Sequence, residues 1–162
     1  MADVLHIRVG EPEDVDDVMS LALSACEENG FVDPNPQKLL EEIWHGLNLE
    51  KGVIGIIGER GRPEGAVLLR IGSMWYSDHE VLEEKAIFIH PDYRSAKGGR
   101  ARRLCEFSKQ VSDSLGLPLI IGVLSDHRTK AKVRLYERQF GQPSGAFFLY
   151  NARTGAFRAA AE

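Results

Sequence analysis

Between Ile87 and Ala101 an apolar stretch, Ile87-Phe88-Ile89, passes through His90-Pro91-Asp92-Tyr93-Arg94-Ser95-Ala96-Lys97 into a glycine pair, Gly98-Gly99, and then Arg100-Ala101. A buried strand that enters a tight turn and then a helix leaves backbone amides free at the helix start, where they can cradle phosphate oxygens. Glycine suits such a turn because a Cβ would hold the anion away from the chain. Arg94, Lys97, Arg100, Arg102, Arg103 and Lys109 against Glu106 give residues 94–109 a net charge of +5, enough to favour a ligand carrying several phosphate charges. A solvated basic helix face after an ordinary turn would have the same composition, and a glycine pair alone is a weak motif.

The flanking pattern supplies elements to position this segment. Val4 to Val9 alternates apolar and polar residues, as a half-buried strand does. Glu11-Pro12-Glu13-Asp14 reads as a helix start, since carboxylates match the positive dipole end and proline tolerates the first turn. That helix is expected to stop at Asn29-Gly30, and a second to start at Asn35-Pro36, with Leu39, Leu40, Ile43, Trp44 and Leu47 on one face. Gly52 to Glu59, Gly65 to Tyr76 and Val81 to His90 read as three strands of an antiparallel meander, because their connections are short. Leu104, Phe107, Val111 and Leu115 then keep helical spacing up to Gly116. Leu119 to Leu124 is expected as a strand buried on both faces, Thr129 to Phe140 as a helix and Ala146 to Asn151 as a last strand. The order is βααβββαβαβ, an α/β (α+β) class with a mixed, largely antiparallel sheet flanked by helices. One domain over residues 1–155 with a frayed tail at 156–162 is expected.

The formal charge of -4 over 162 residues conceals a division: residues 1–50 carry -10 and residues 51–162 carry +6. Such a balance argues against a domain that coats nucleic acid, while leaving room for a local basic site. Cys26 and Cys105 lack the paired spacing of a metal site or a disulfide framework, which points to a reducing compartment, the cytoplasm. The longest apolar runs are strand-sized, so no membrane partner is expected.

The segment from Ile87 to Ala101 resembles the phosphate loop of the GNAT superfamily of acyl-CoA-dependent N-acetyltransferases. In that family Arg or Gln opens the pattern and Gly or Ala closes it, positions held here by Arg94 and Gly99; Lys97 stands where the middle glycine is usual, and Gly98 is displaced by one. A second resemblance lies in Arg134-Leu135-Tyr136-Glu137-Arg138 followed by Gly145-Ala146-Phe147-Phe148-Leu149-Tyr150, similar to the family's closing helix and strand, although Phe140-Gly141 reverses the usual dipeptide. With the element order, the resemblance spans Ile7 to Asn151 and implies a GNAT-like three-layer fold.

The resemblance implies acetyl-CoA as donor, no metal, and a small-molecule or peptide amine as acceptor that attacks the thioester directly through a tetrahedral intermediate. Ile87, Phe88, Ile89, Arg94, Ser95, Lys97, Gly98, Gly99, Arg100 and Ala101 would hold the donor, the strand residues through their backbone. Tyr136 would protonate the departing thiolate, its alternative being a core ring with a bonded hydroxyl. Glu83 and Glu84 are candidates for the general base, and strand alternation lets at most one face the cleft. A paired or solvated strand carboxylate is the other reading for each. His79, Asp126 and His127 are further loop candidates, and Cys105 is expected to pack rather than react.

The acidic first helices would wall the acceptor site and attract a cationic amine such as a polyamine or aminoglycoside, although dipole matching and solubility account for the same charges. Trp44 and Trp75 are expected in the core, with pocket lining as the alternative. A homodimer is possible. Two other functions stay open: a non-catalytic acyl-CoA-binding or interaction module, and nucleic-acid binding through residues 94–109.

Overall fold

A computed structural model describes residues 6–94, 98–124 and 128–151. The elements are β1 (Ile7–Val9), a 3-10 turn (Pro12–Asp14), α1 (Val15–Asn29), α2 (Pro36–Leu47), β2 (Gly52–Glu59), β3 (Arg62–Ser73), β4 (Glu80–Ile89), a second 3-10 turn (Pro91–Tyr93), α3 (Arg100–Leu115), β5 (Leu119–Ile120) and α4 (Thr129–Phe140). The sheet order is β1-β2-β3-β4-β5, antiparallel except for the parallel β4–β5 pair. No helix among the described residues is long and apolar enough to cross a membrane.

Both faces of the sheet are covered. Val18 and Leu21 of α1 and Ile43 and Leu47 of α2 pack on Ile54, Ile56, Ala66, Leu68 and Phe88. On the opposite face Leu104 and Phe107 of α3 meet Ile57, Val67, Leu69 and Leu82. Period-2 alternation in β2 and β3 sorts these residues onto the two faces, so two helical layers can each find an apolar wall. Gly55 permits the α3 contact, because a Cβ there would stand 2.6 Å from the Phe107 ring. This close approach seats α3 and thereby fixes where its N-terminus opens.

The start of α1 is fastened by charge. Asp14 is fully buried, accepts two hydrogen bonds from Arg8 at 2.7 and 2.8 Å, one from Arg60 at 3.1 Å and one from the Glu11 amide at 2.9 Å. The expected helix start is thus a 3-10 turn followed by α1, and Asp14 ties it to β1 and to the β2–β3 turn.

Two expectations are corrected near the C-terminus. Leu119 to Leu124 forms a strand only at Leu119–Ile120, pairing with Leu82 and Glu83, and the residues beyond alternate between half-buried and exposed. β5 is the sheet edge among the described residues, so nothing covers its far side. Residues 146–151 are exposed and form no strand, because a two-residue β5 offers almost no ladder on which a last strand could register. β3 runs from Arg62 to Ser73 instead of the expected Gly65 to Tyr76, and Pro63 sits inside it beside a register shift between Ile57 and Gly58, where a missing amide is tolerated. Val4 and Leu5 of the expected first strand and the tail at 156–162 lie outside the described residues.

Candidate active site

The sheet opens at β4. Leu68 faces Ala86 and Leu69 faces Glu84, so Lys85 is an extra residue, a bulge that reverses which residues point to which face. Before it Leu82 faces α3, and after it Ile87 and Ile89 do. Glu84, opposite Leu69, shares the α3 side; Glu83 lies on the other. Beyond Glu83, β4 has no β5 partner, and the two chain segments part. Two clefts occupy the opening.

The first, of about 760 Å³, is lined by Ile87, Phe88 and Ile89 of β4, by Arg94, by Gly99, Arg100 and Ala101 at the start of α3, and by α4. These are seven of the ten residues expected to hold a donor. Phe88 contributes without exposing its ring, which is buried against α1 and α2. Gly98 is not among the lining residues, and Ser95 and Lys97 lie outside the described residues. Gly99 takes the left-handed conformation at φ 62° and caps α3 without a side-chain bond, and the helix start at Gly99 to Ala101 lines the cleft.

The cations here are not a uniform patch. Arg94 donates to the Ile89 carbonyl at 2.9 Å and pairs with Glu28 of α1 at 2.7 Å. Arg100 pairs with Glu64 at 2.9 Å, donates to the Tyr93 carbonyl and lies over the Tyr93 ring, while its Nε is buried with no acceptor among the described residues. Its side chain therefore holds the 3-10 turn in place, and its backbone amide is what reaches the helix start. Arg102, Arg128, Lys132 and Arg138 add positive charge from the other walls. Glycine geometry, a helix N-terminus and these bases together suit a polyanionic ligand.

The second cleft, of about 450 Å³, lies between Met74, the β4 segment from Glu83 to Ile87, residues 120–124 and Phe147. Ile87, Lys132 and Tyr136 line both clefts and mark their junction. Lys132 and Tyr136 are four residues apart on α4 and so share a helix face. No residue of α1 or α2 lines the second cleft, and Glu28 and Asn29 of α1 border the first instead.

Four titratable groups from three elements sense one another near this junction. Burial pushes the Glu84 carboxyl up to about 7, countered by the Gly122 amide, 3.4 Å from a carboxylate oxygen, and by Lys132 and Lys85. Burial also raises the Tyr136 phenol, with Glu84 and Cys105 adding to it. The buried Cys105 thiol is pushed up to about 12 by burial first and then by Glu84. Burial lowers the Lys132 ammonium, with Glu84 and Glu28 opposing. The two carboxylates offered by sequence separate clearly: Glu83 is bound to Lys85 at 2.7 Å, whereas Glu84 has a single long hydrogen bond among the described residues.

Other candidates fall away from the junction. His79 is exposed and lines neither cleft, and Asp126 and His127 lie outside the described residues. Trp44 packs against the α1/α2 core as expected, but Trp75 is 95% exposed, edge-on to Tyr76, because it follows the end of β3 where the sheet no longer covers it. Lys132, Arg128 and Arg138 escaped the sequence reading. The alternate bases at Arg128, Lys130, Lys132 and Arg134, with Lys132 one turn before Tyr136, were the available signal. Among the described residues no group of three or more His, Cys, Asp or Glu is placed to hold a metal ion.

No family model and no curated protein matches the sequence. Solved structures do match. AAC(6′)-Iy in complex with the bisubstrate analogue CoA-S-monomethyl-acetylneamine is 15% identical, with 94% of this chain and 100% of that chain covered and a TM-score of 0.67. An aminoglycoside acetyltransferase from an uncultured soil metagenomic sample is 14% identical over 94% of this chain and 99% of its own, with a TM-score of 0.66. The ribosomal-protein-alanine N-acetyltransferase of Brucella melitensis biovar Abortus 2308 is 16% identical over 94% and 100%, with a TM-score of 0.64. At such identities the likeness is one of backbone, and it extends over nearly the whole chain: the protein has the fold of the GNAT-type acetyltransferases.

Proposed function

We propose that the protein is an acetyltransferase that uses acetyl-CoA to acetylate a primary amine. The observation that carries this reading is the meeting of two clefts at Ile87, Lys132 and Tyr136, one ringed by bases and helix amides, the other bordered by a carboxyl held near neutrality. The complex of AAC(6′)-Iy with a CoA bisubstrate analogue supports the assignment of the basic cleft to the donor. Ile87 and its neighbours on the unpaired stretch of β4 offer backbone donors and acceptors to an extended arm, as an added strand would use them. Gly99 and the first-turn amides of α3 receive phosphate oxygens.

When bound, the donor supplies a thioester for attack. Glu84 takes the proton of the acceptor ammonium, directly or through water, since a carboxyl near 7 is about half ionised at neutral pH and basic enough in its ionised form to accept it. Tyr136 gives its proton to the departing sulfur; its raised affinity for that proton keeps the phenol intact at working pH. Direct transfer is favoured over an acyl-enzyme because Cys105, the thiol of α3 near this cluster, is fully buried and held protonated. Calorimetry with acetyl-CoA tests the reading. Saturable binding with an affinity in the micromolar range is expected, and no heat at high micromolar donor would overturn it.

A further inference from the structure

The second cleft has a composition that selects among amines. Its walls are Met74, Ile120, Val123, Leu124 and Phe147, and Ile120, Leu124 and Phe147 hold 42, 48 and 81% of their surface open to solvent. Apolar surface of this kind, gathered around a concavity with one polar handle, gains most by covering an apolar ligand body. Among the described residues the charges on the cleft balance: Glu83 and Glu84 against Lys85 and Lys132. Glu83 is already bonded to Lys85, which leaves Glu84 as the anchor for a single ammonium. A second ammonium would have to lie on the apolar wall or beside Lys85 or Lys132, and each place disfavours it.

The acidic helices offer no compensation. None of their residues lines this cleft, and Asp14, Glu28 and Glu42 are paired with Arg8 and Arg60, with Arg94 and with Arg70. We infer that the acceptor is an amine carrying one positive charge on an aromatic or branched aliphatic body, and that polycationic amines are poor substrates. The neighbours crystallised as aminoglycoside acetyltransferases share the backbone; this cleft has the wrong lining for an acceptor with several ammonium groups.

The inference rests on the acetyltransferase reading, and the experiment separates the two. Acetyl-CoA binding is measured first by calorimetry on the full chain; its absence removes the reading itself. CoA release at saturating acetyl-CoA is then followed with ethylamine, isoamylamine, phenethylamine, spermidine and kanamycin. Phenethylamine is expected to exceed ethylamine in kcat/KM by at least tenfold, at about threefold per added methylene-equivalent, and to exceed spermidine and kanamycin by a similar factor. A Leu124→Asp variant places a carboxylate on the exposed part of the wall and is expected to lower phenethylamine turnover while raising that of spermidine. Preference for spermidine or kanamycin in the unaltered protein, indifference of the ratio to Leu124→Asp, or CoA release with none of the five amines in protein that binds acetyl-CoA overturns the inference.

Discussion

Asp14 and Glu84 are both carboxylates withdrawn from bulk water, and their proton affinities move in opposite directions. Asp14 accepts four hydrogen bonds, three of them from guanidinium groups, and Arg8 holds its carboxyl well below the usual carboxylate range. Glu84 has one amide at 3.4 Å and rises to about 7. Burial penalises the charge in both places; the number and charge of the donors decide which effect wins. A fully satisfied carboxylate fastens three elements together. An unsatisfied one on a cleft is available to a ligand or a proton.

Substitutions can break this contrast. The largest effect is expected for Asp14→Ala, which removes the buried acceptor of Arg8 and Arg60 and detaches the α1 start: a loss of about 2 to 3 kcal/mol by denaturant unfolding, since both guanidinium groups reach solvent and Arg60 keeps Glu11. Glu84→Gln should leave the fold intact and lower kcat/KM at pH 8 by about 10²-fold or more. Equal destabilisation by the two changes would show that the carboxylates play the same role. Tyr136→Phe is expected to reduce kcat by about 10- to 100-fold while donor affinity measured by calorimetry stays constant.

The pH dependences sharpen the same contrast because their signs differ. The folded Glu84 carboxyl binds its proton more tightly than the ordinary value of 4.5, so its contribution to stability is complete below about pH 4.5 and is lost as pH rises through about 7. Glu84→Gln should therefore stabilise the protein at pH 8, by about 1 to 2 kcal/mol because the cleft admits water, and have little effect at pH 4. Turnover should rise through pH 7 as the same group ionises. Asp14 behaves oppositely: its contribution is present above its ordinary value of 3.8 and is lost as pH falls below it, a loss that Asp14→Asn would abolish. The smallest effect is expected at Gly99, where alanine meets no atom of the described residues closer than 3.5 Å but must hold φ near 62°, a cost of about 1 kcal/mol of stability.

Much of the frame was readable in local pattern. The bounds of β2 and α4 follow from the apolar run at Gly52 and from Thr129 to Phe140, and Gly30, Gly116 and Gly141 end helices as their lack of a Cβ allows. The strand that ends at Ile89 and the helix that starts at Arg100 were likewise within reach of motif and spacing, whereas the choice between Glu83 and Glu84 was not. The failures share a cause. Whether Leu119 to Leu124 or Ala146 to Asn151 becomes a strand depends on a partner edge, which apolar runs do not encode. Trp75 was expected in the core because ring size says nothing about where a sheet ends.

Composition alone determined that residues 1–50 are acidic and the remainder basic, and that bases gather around Gly99. Tertiary structure decided what those charges do. Glu11 and Asp14 meet Arg60, Glu42 meets Arg70 and Glu28 meets Arg94, so part of the acidic segment's charge is paired with bases of the rest of the chain. It also decided, through a bulge at Lys85 and the parting of β4 from β5, that Glu84 and not Glu83 faces Tyr136's side of the sheet. Local sequence sets backbone preference within a few residues; charge pairing, desolvation and cleft lining depend on groups distant in the chain, and only folding brings them within a few ångströms.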